Sequence, residues 1–208
     1  MKNNNKPQKI RAVSIDKILV AAQDEFILQG YKGATVQSIA DNAGLPKANV
    51  LYYFQNKENI YHAVLEQTLN MWDEGIGDIL AEDGPKLAIE KFVRAKVTMS
   101  FKNPKASKIY AMEIIQGAQH LKDFARTYLR QWVREKSKVF QCWIDNGEMN
   151  KVDPVNLIFL IWSSTQHYAD FDNQVLTIMN RADYEDADIE HVTNFLTDFI
   201  LRGCGLKQ

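Results

Sequence analysis

The chain has 208 residues, 46% of them hydrophobic and 25% charged, which is typical of a globular protein. This length allows one large domain, or a small domain followed by a larger one. The longest apolar run, 157–162, is far shorter than the roughly 20 residues that span a bilayer. The sequence also opens without an apolar leader, so we expect a cytoplasmic protein with no membrane partner. Cys142 and Cys204 stand far apart, which favours neither a disulfide scaffold nor a zinc site.

The net charge of −1 is unevenly distributed. Residues 1–60 contain eight Lys or Arg against five Asp or Glu, so the first part is positive and the remainder is negative. This asymmetry points weakly to an anionic partner for the first part. A solvated basic arm explains the same charge equally well.

Helical periodicity runs through almost the whole chain, and strand alternation is almost absent. The first helix is predicted between a cap at Ser14 and Gly30, after a disordered polar arm at 2–9. A break is predicted at Gly75 and Gly77. The other helices are predicted at 36–43 behind a Thr35 cap, 46–54, 57 to about 73, 85–102, 104–118, 120–146, 153–180 and 186–203. The sequence therefore predicts an all-α fold of about nine helices.

The segment 35–54 carries the most informative pattern. Two short helices meet at 43–45, where Ala43 allows close approach and Gly44 permits a positive φ. A small core can hold the pair at a fixed angle; its members are Val36, Ile39, Ala40, Leu45 and Val50. This is typical of a helix-turn-helix, whose second helix can lie in the major groove of DNA.

Seven residues of this part are predicted to contact DNA. They are Thr35, Lys47, Ala48, Asn49, Tyr52, Tyr53 and Lys57. Lys47 can reach a base acceptor or a phosphate, and Asn49 has the paired donor and acceptor that reads an adenine edge. The two tyrosines offer hydroxyls to phosphates and rings to thymine methyls. The helix N-termini at Thr35 and Lys57 can present backbone N–H groups to phosphates.

Residues 15–60 resemble the TetR family of bacterial regulators. The residues that stand where this family has them are Phe26, Gly30, Tyr31, Thr35, Ile39, Ala40, Ala43, Gly44, Tyr53, Phe54, Lys57 and Glu58. Pro46 departs from the usual Ser or Thr and removes a side-chain oxygen that would cap the recognition helix and touch a phosphate. Leu51 stands where most members have Tyr.

The resemblance implies two domains and three partners. Residues 1–56 would form the N-terminal arm and a three-helix, helix-turn-helix domain, and 57–208 a larger helical domain that dimerises and holds a small effector. A two-fold homodimer would set its recognition helices about 34–36 Å apart on a roughly palindromic, double-stranded operator. The helix from 57 to about 73 joins the domains and is the expected lever between effector and DNA.

A second block, 152–171, resembles a subgroup of this family that regulates pyrimidine utilisation. Residues 51–54 and 112–118 agree with it too, so the departure at Leu51 is shared with the subgroup. The resemblance implies a repressor that uracil or thymine releases from the operator.

A pyrimidine pocket needs an aromatic face and an amide that matches the alternating N–H and C=O groups of the ring. Trp162 and Gln166 are four residues apart on one predicted helix face and can supply both. The other candidate ligand contacts are Trp72, Glu113, His167 and Tyr168. In an alternative interpretation, Trp162 belongs to the core, and the face of Leu157, Ile161, Ser164 and Tyr168 packs in a dimer.

Two further alternatives stay open. The same scaffold can serve another effector, such as a drug-like, lipophilic or aromatic compound that governs an efflux gene or other metabolism. From a different class, the chain could be a helical carrier or enzyme with a vestigial helix-turn-helix. The sequence has no catalytic constellation, metal-ligand spacing or Gly-rich phosphate loop, so we predict neither enzymatic activity nor a metal or cofactor.

Overall fold

The computed structural model describes residues 6–75 and 79–206, and within these ranges the regular structure is helical throughout. The α-helices are α1 (Lys6–Gly33), α2 (Val36–Ala43), α3 (Lys47–Phe54), α4 (Lys57–Gly75), α5 (Gly84–Lys102), α6 (Pro104–Ile115), α7 (Lys122–Phe124), α8 (Arg130–Asp145), α9 (Pro154–Asp170), α10 (Asp172–Ile178) and α11 (Asp186–Gly203). A short 3-10 helix covers Ala81–Asp83, and a π-helical segment covers Ala125–Leu129. The predicted all-α fold is confirmed.

The first helix begins earlier than the sequence predicts. The backbone is helical from Lys6, so Ser14 lies inside α1 and is not its cap. Residues 6–9 are likewise helical and not part of a disordered arm, while 2–5 and Gly77 lie outside the described residues. The predicted end at Gly30 corresponds to a kink, with φ 68° and ψ 171°, that glycine adopts at little steric cost.

Two long predicted helices are each divided. The segment 120–146 contains α7, the π-helical segment and α8, and a π-helical turn inserts an extra residue into the helical repeat. The segment 153–180 breaks at Phe171, whose φ of −121° and ψ of 31° separate α9 from α10. These breaks account for the difference between the predicted and observed numbers of helices.

Two hydrophobic cores organise the helices. The first core joins α1–α4 to α6 and includes Ile18, Phe26, Ile39, Val50, Ile60, Leu65 and Ile109. The second core joins α5, α8, α9 and α11 and includes Phe92, Phe140, Trp143, Ile158, Ile161 and Leu201. The first half of α4 thus packs with the N-terminal helices, while its second half runs on towards the C-terminal ones. None of the helices in the described ranges is long and apolar enough to cross a membrane.

Candidate DNA interface and effector cavity

The two ends of α2 are fixed by local interactions. The hydroxyl of Thr35 accepts a hydrogen bond of 3.0 Å from the backbone N–H of Ser38 and caps α2, as the sequence predicts. Gly44 takes φ 65° and ψ 34°, the left-handed conformation that ends α2. Pro46 precedes α3 without a side-chain capping bond, so the recognition helix lacks the cap that Ser or Thr would give.

The surface of α3 presents most of the predicted DNA contacts. Lys47, Ala48, Asn49 and Tyr52 are exposed, and Tyr52 reaches 80% exposure. Tyr53 is half-buried and packs edge-on against the Tyr52 ring, with centroids 5.2 Å apart. On the opposite side Val50 is fully buried and anchors α3 in the first core. The exposed side of α3 is therefore accessible to a DNA groove, and the individual contacts stay predictions.

The side chain of Lys57 is bound to the backbone at the C-terminal end of α1 and just after it. Its Nζ donates hydrogen bonds to the carbonyl oxygens of Tyr31 at 2.7 Å and Ala34 at 2.9 Å. The same ammonium lies 4.7 Å from the centre of the Tyr31 ring. A phosphate contact at Lys57 would therefore use its backbone N–H, while the side chain fastens α4 to the end of α1.

Glu113 forms a buried polar cluster between α4 and α6. Its carboxylate is 3% exposed and accepts bonds from the Tyr61 hydroxyl at 2.9 Å and from the backbone N–H of His120 at 2.7 Å. The His120 ring in turn packs against Tyr31 of α1, with centroids 4.7 Å apart. The sequence predicts that Glu113 contacts the ligand. In the structure its carboxylate instead bonds to Tyr61 and His120 between α4 and α6.

A cavity of about 510 Å³ opens between the helices α4–α9 and the π-helical segment. Its lining contains six aromatic side chains: Trp72, Tyr110, Phe124, Tyr128, Trp132 and Trp162. The remaining lining residues are Leu69, Asp73, Lys96, Leu129, Gln131, Glu135, Lys136 and Gln166. Such a cavity, in which aromatic and aliphatic side chains outnumber the polar ones, has the size and character of a small-molecule site.

The structure brings three of the six predicted ligand contacts to this cavity. Trp72, Trp162 and Gln166 all line it, although they come from α4 and α9. His167 is exposed, and its ring lies against Phe171 with centroids 5.1 Å apart. Tyr168 packs against Phe101 and accepts a hydrogen bond at its carbonyl oxygen, away from the cavity. The predictions for Glu113, His167 and Tyr168 therefore do not match the cavity geometry.

Sequence reasoning missed Lys96, a charged residue in the wall of the cavity. Lys96 is 4% exposed, and its Nζ lies 4.9 Å from the centre of the Trp72 ring. Burial lowers its pKa to about 8, although the nearby Asp170 carboxylate favours the charged form. The burial of Lys96 is indicated in the sequence by its spacing from apolar residues of the same helix. Phe92, Val93 and Val97 are all buried.

An apolar surface on α9 and α11 faces outward. Its large exposed side chains are Phe159, Leu160, Phe195 and Phe199. Leu157 and Ile161, which the alternative interpretation placed in a dimer contact, are buried in the second core. On α9, the face available to a partner is therefore that of Phe159 and Leu160, and not that of Leu157 and Ile161.

The geometry of α1–α3 defines a helix-turn-helix DNA-binding protein. Residues 18–64 match the family described as bacterial regulatory proteins, tetR family, and 65–207 match the YcdC-like protein, C-terminal region. The HTH-type transcriptional regulator RutR of Escherichia coli K12 is 41% identical over 170 residues, covering 81% of this chain and 80% of RutR. The chain therefore belongs to the TetR family of bacterial transcriptional regulators.

Two solved structures share the fold. A putative fatty acid metabolism regulator of Clostridium perfringens aligns with a TM-score of 0.70 at 23% identity, over 92% of this chain and 100% of that one. AibR in complex with isovaleryl coenzyme A and operator DNA aligns with a TM-score of 0.67 at 16% identity, over 89% and 97%. At these identities the likeness concerns the fold alone.

Proposed function

We propose that the chain is a cytoplasmic, non-enzymatic repressor that leaves its operator when a pyrimidine such as uracil or thymine fills the cavity. The observation that carries this proposal is the convergence of Trp72, Trp162 and Gln166 on one cavity. The indoles offer flat faces for a planar ring, and the Gln166 amide offers one donor and one acceptor edge. The similarity to RutR and the resemblance of 152–171 to regulators of pyrimidine utilisation support the same effector.

The coupling between cavity and DNA would pass through α4. This helix places Ile60 and Tyr61 in the first core and Trp72 in the wall of the cavity. A ligand shifts the conformational equilibrium only by the difference between its affinities for the two states. In this proposal a ligand that draws Trp72 inward favours one position of α4, and that position changes the spacing of the two recognition helices.

The homodimer would form through the apolar surface of α9 and α11. Phe195 and Phe199 stack with centroids 6.4 Å apart, and both are more than half exposed in the single chain. Large exposed apolar patches of this kind mark protein interfaces. A two-fold axis through this surface would place two copies of the recognition helix α3 on the DNA, as a palindromic operator requires.

Calorimetry and operator binding test the effector. Uracil or thymine should release heat on binding and lower the affinity for DNA taken from upstream of the chain's own gene. Gln166→Ala should lose the ligand and keep the operator, whereas Gln174→Ala, the same change at an exposed position on α10, should keep both. No heat and no change in DNA affinity with either pyrimidine would exclude this effector.

A second candidate effector follows from the aromatic lining of the cavity. Six aromatic side chains are also suited to a larger lipophilic or aromatic compound. A thermal-shift screen separates the candidates, because a ligand of the native state raises the melting temperature by mass action. A shift with such compounds but not with pyrimidines would favour the second candidate.

A further inference from the structure

Lys96 is a buried charge in the cavity wall that the binding of a neutral aromatic ring does not explain. The residue lies in the second half of α5, and the neighbouring Val97 and Ser100 are buried like it. Its Nζ lies over the indole of Trp72, one of the two tryptophans that would hold the effector ring. The ammonium is therefore next to the position where a ligand ring would stack.

The ammonium of Lys96 has no hydrogen bond and no ion pair with the residues that the structure describes. The Asp170 carboxylate influences its charge, but Asp170 accepts a hydrogen bond of 2.6 Å from the Ser107 hydroxyl. An ammonium group can donate three hydrogen bonds, and burying it without acceptors carries a large desolvation penalty. A ligand can therefore supply the acceptor that the N–H groups of Lys96 lack among the described residues.

The charges around the cavity are arranged by sign. The two lysines of its lining, Lys96 and Lys136, are 4% and 9% exposed. The two lining carboxylates, Asp73 and Glu135, are exposed to solvent. Asp73 accepts a hydrogen bond from the Tyr128 hydroxyl, and Glu135 accepts one from the Gln131 amide. Negative charge is therefore placed at the solvent side and positive charge inside.

We propose that Lys96 binds an oxygen acceptor of the effector, and that the cavity prefers planar rings that bear a negatively charged oxygen, either an ionised oxygen attached to the ring or a carboxylate. The ring would lie beside Trp72 and Trp162, with its charged oxygen on the Lys96 ammonium. This inference rests on the proposed role of the cavity as the effector site. Within that role it adds the charge of the preferred ligand and the residue that selects it.

Two matched pairs of probes test the preference by calorimetry at neutral pH. The pyrimidine pair is uracil, which is neutral, and barbituric acid, which is ionised and carries its charge on oxygens attached to the ring. The second pair, benzamide and benzoate, makes the same comparison without a pyrimidine. We expect the acid of each pair to bind wild-type protein at least about ten-fold more tightly, as a charge-assisted hydrogen bond provides.

Two lysine variants on α5 test whether Lys96 causes the preference for the acid over the neutral probe. Lys96→Met keeps the length of the side chain but removes its charge, and should bind acid and neutral probe with equal affinity. Lys102→Met makes the same change at an exposed position and should behave as wild type. The wild-type comparison does not depend on the folding of either variant. Equal binding of acid and neutral probe, failure of both acids to bind, or a preference that survives Lys96→Met would each overturn the proposal.

The probes also separate this inference from the pyrimidine proposal. If neither pyrimidine binds but benzoate binds better than benzamide through Lys96, the pyrimidine effector is excluded and the role of Lys96 stands. If uracil binds as tightly as barbituric acid and Lys96→Met changes neither affinity, the pyrimidine effector stands and the role of Lys96 is excluded.

Discussion

The Tyr61 hydroxyl donates a hydrogen bond of 2.9 Å to the Glu113 carboxylate and so connects α4 with α6. Both side chains are buried, at 4% and 3% exposure. Burial and this hydrogen bond raise the pKa of Tyr61 well above that of a free phenol, so the hydroxyl stays protonated and donates at neutral pH. The bond therefore holds α4, which also carries Trp72 to the cavity, against α6.

Tyr61→Phe should therefore lower the free energy of unfolding by about 1–3 kcal/mol, because it removes one partner of a buried carboxylate. Urea denaturation followed by circular dichroism measures the loss. Tyr52→Phe is the matched control, since the Tyr52 side chain is 80% exposed on α3. Equal stability of the two variants would mean that the Tyr61–Glu113 bond contributes nothing net to folding.

Lys47 and Lys57, both predicted DNA contacts, should differ in how they affect DNA binding. Lys47 is exposed on α3, so Lys47→Ala should reduce the slope of log affinity against log salt concentration by about 1. Lys57→Ala removes hydrogen bonds to the Tyr31 and Ala34 carbonyl oxygens, and should lower the melting temperature while leaving the salt slope unchanged. Fluorescence anisotropy over a salt series and a thermal melt distinguish the two. A reduced slope with unchanged melting for Lys57→Ala would place its ammonium on DNA.

Pro46→Ser should strengthen the start of the recognition helix. Pro46 has φ −59° and ψ 139°, an extended conformation from which a serine hydroxyl can accept a hydrogen bond from a backbone N–H in the first turn of α3. Loss of the proline ring also loosens the unfolded chain, so Pro46→Ala serves as the control without a capping oxygen. We expect Pro46→Ser to be more stable than Pro46→Ala by about 0.5–2 kcal/mol in urea denaturation. No difference between them would show that the cap does not form.

The helix-turn-helix was predictable because the signals that specify it are local. The Thr35 cap bonds within one turn, and Gly44 supplies the left-handed residue that ends α2. The kink at Gly30 falls where the sequence ends the first helix. Each of these features depends on residues a few positions apart, so a single sequence contains the relevant information.

The cavity was less predictable because its walls come from distant parts of the chain. Trp162 and Gln166 share a helix face, which the sequence does give, but the partners of Glu113 depend on how α4 packs against α6. The side chain of Lys57 bonds to carbonyl oxygens more than twenty residues away, which exposure patterns cannot reveal. The break at Phe171 likewise lacks a proline or glycine that would have indicated it.

The buried charge of Lys96 should be visible in the pH dependence of stability. Burial lowers its pKa to about 8, from 10.5 for a free lysine, so between these values the unfolded chain binds more protons than the folded one. Stability contributed through this group therefore rises with pH from about 8 upward. Lys96→Met removes the titrating group. The variant should be more stable than wild type at pH 7, by about 3 kcal/mol, and this difference should shrink steadily towards pH 10.

Urea denaturation of both proteins at each pH measures this difference directly. The stability of wild type must be subtracted from that of Lys96→Met because burial also raises the pKa of Cys204 to about 11, from 9.0 for a free thiol. That group binds more protons in the folded chain, so it lowers stability as pH rises above 9, but it does so equally in both proteins. Parallel stability curves for wild type and Lys96→Met between pH 7 and 10 would mean that Lys96 titrates as an exposed lysine. A converging pair would instead establish the buried ammonium on which the preference for negatively charged ligands depends.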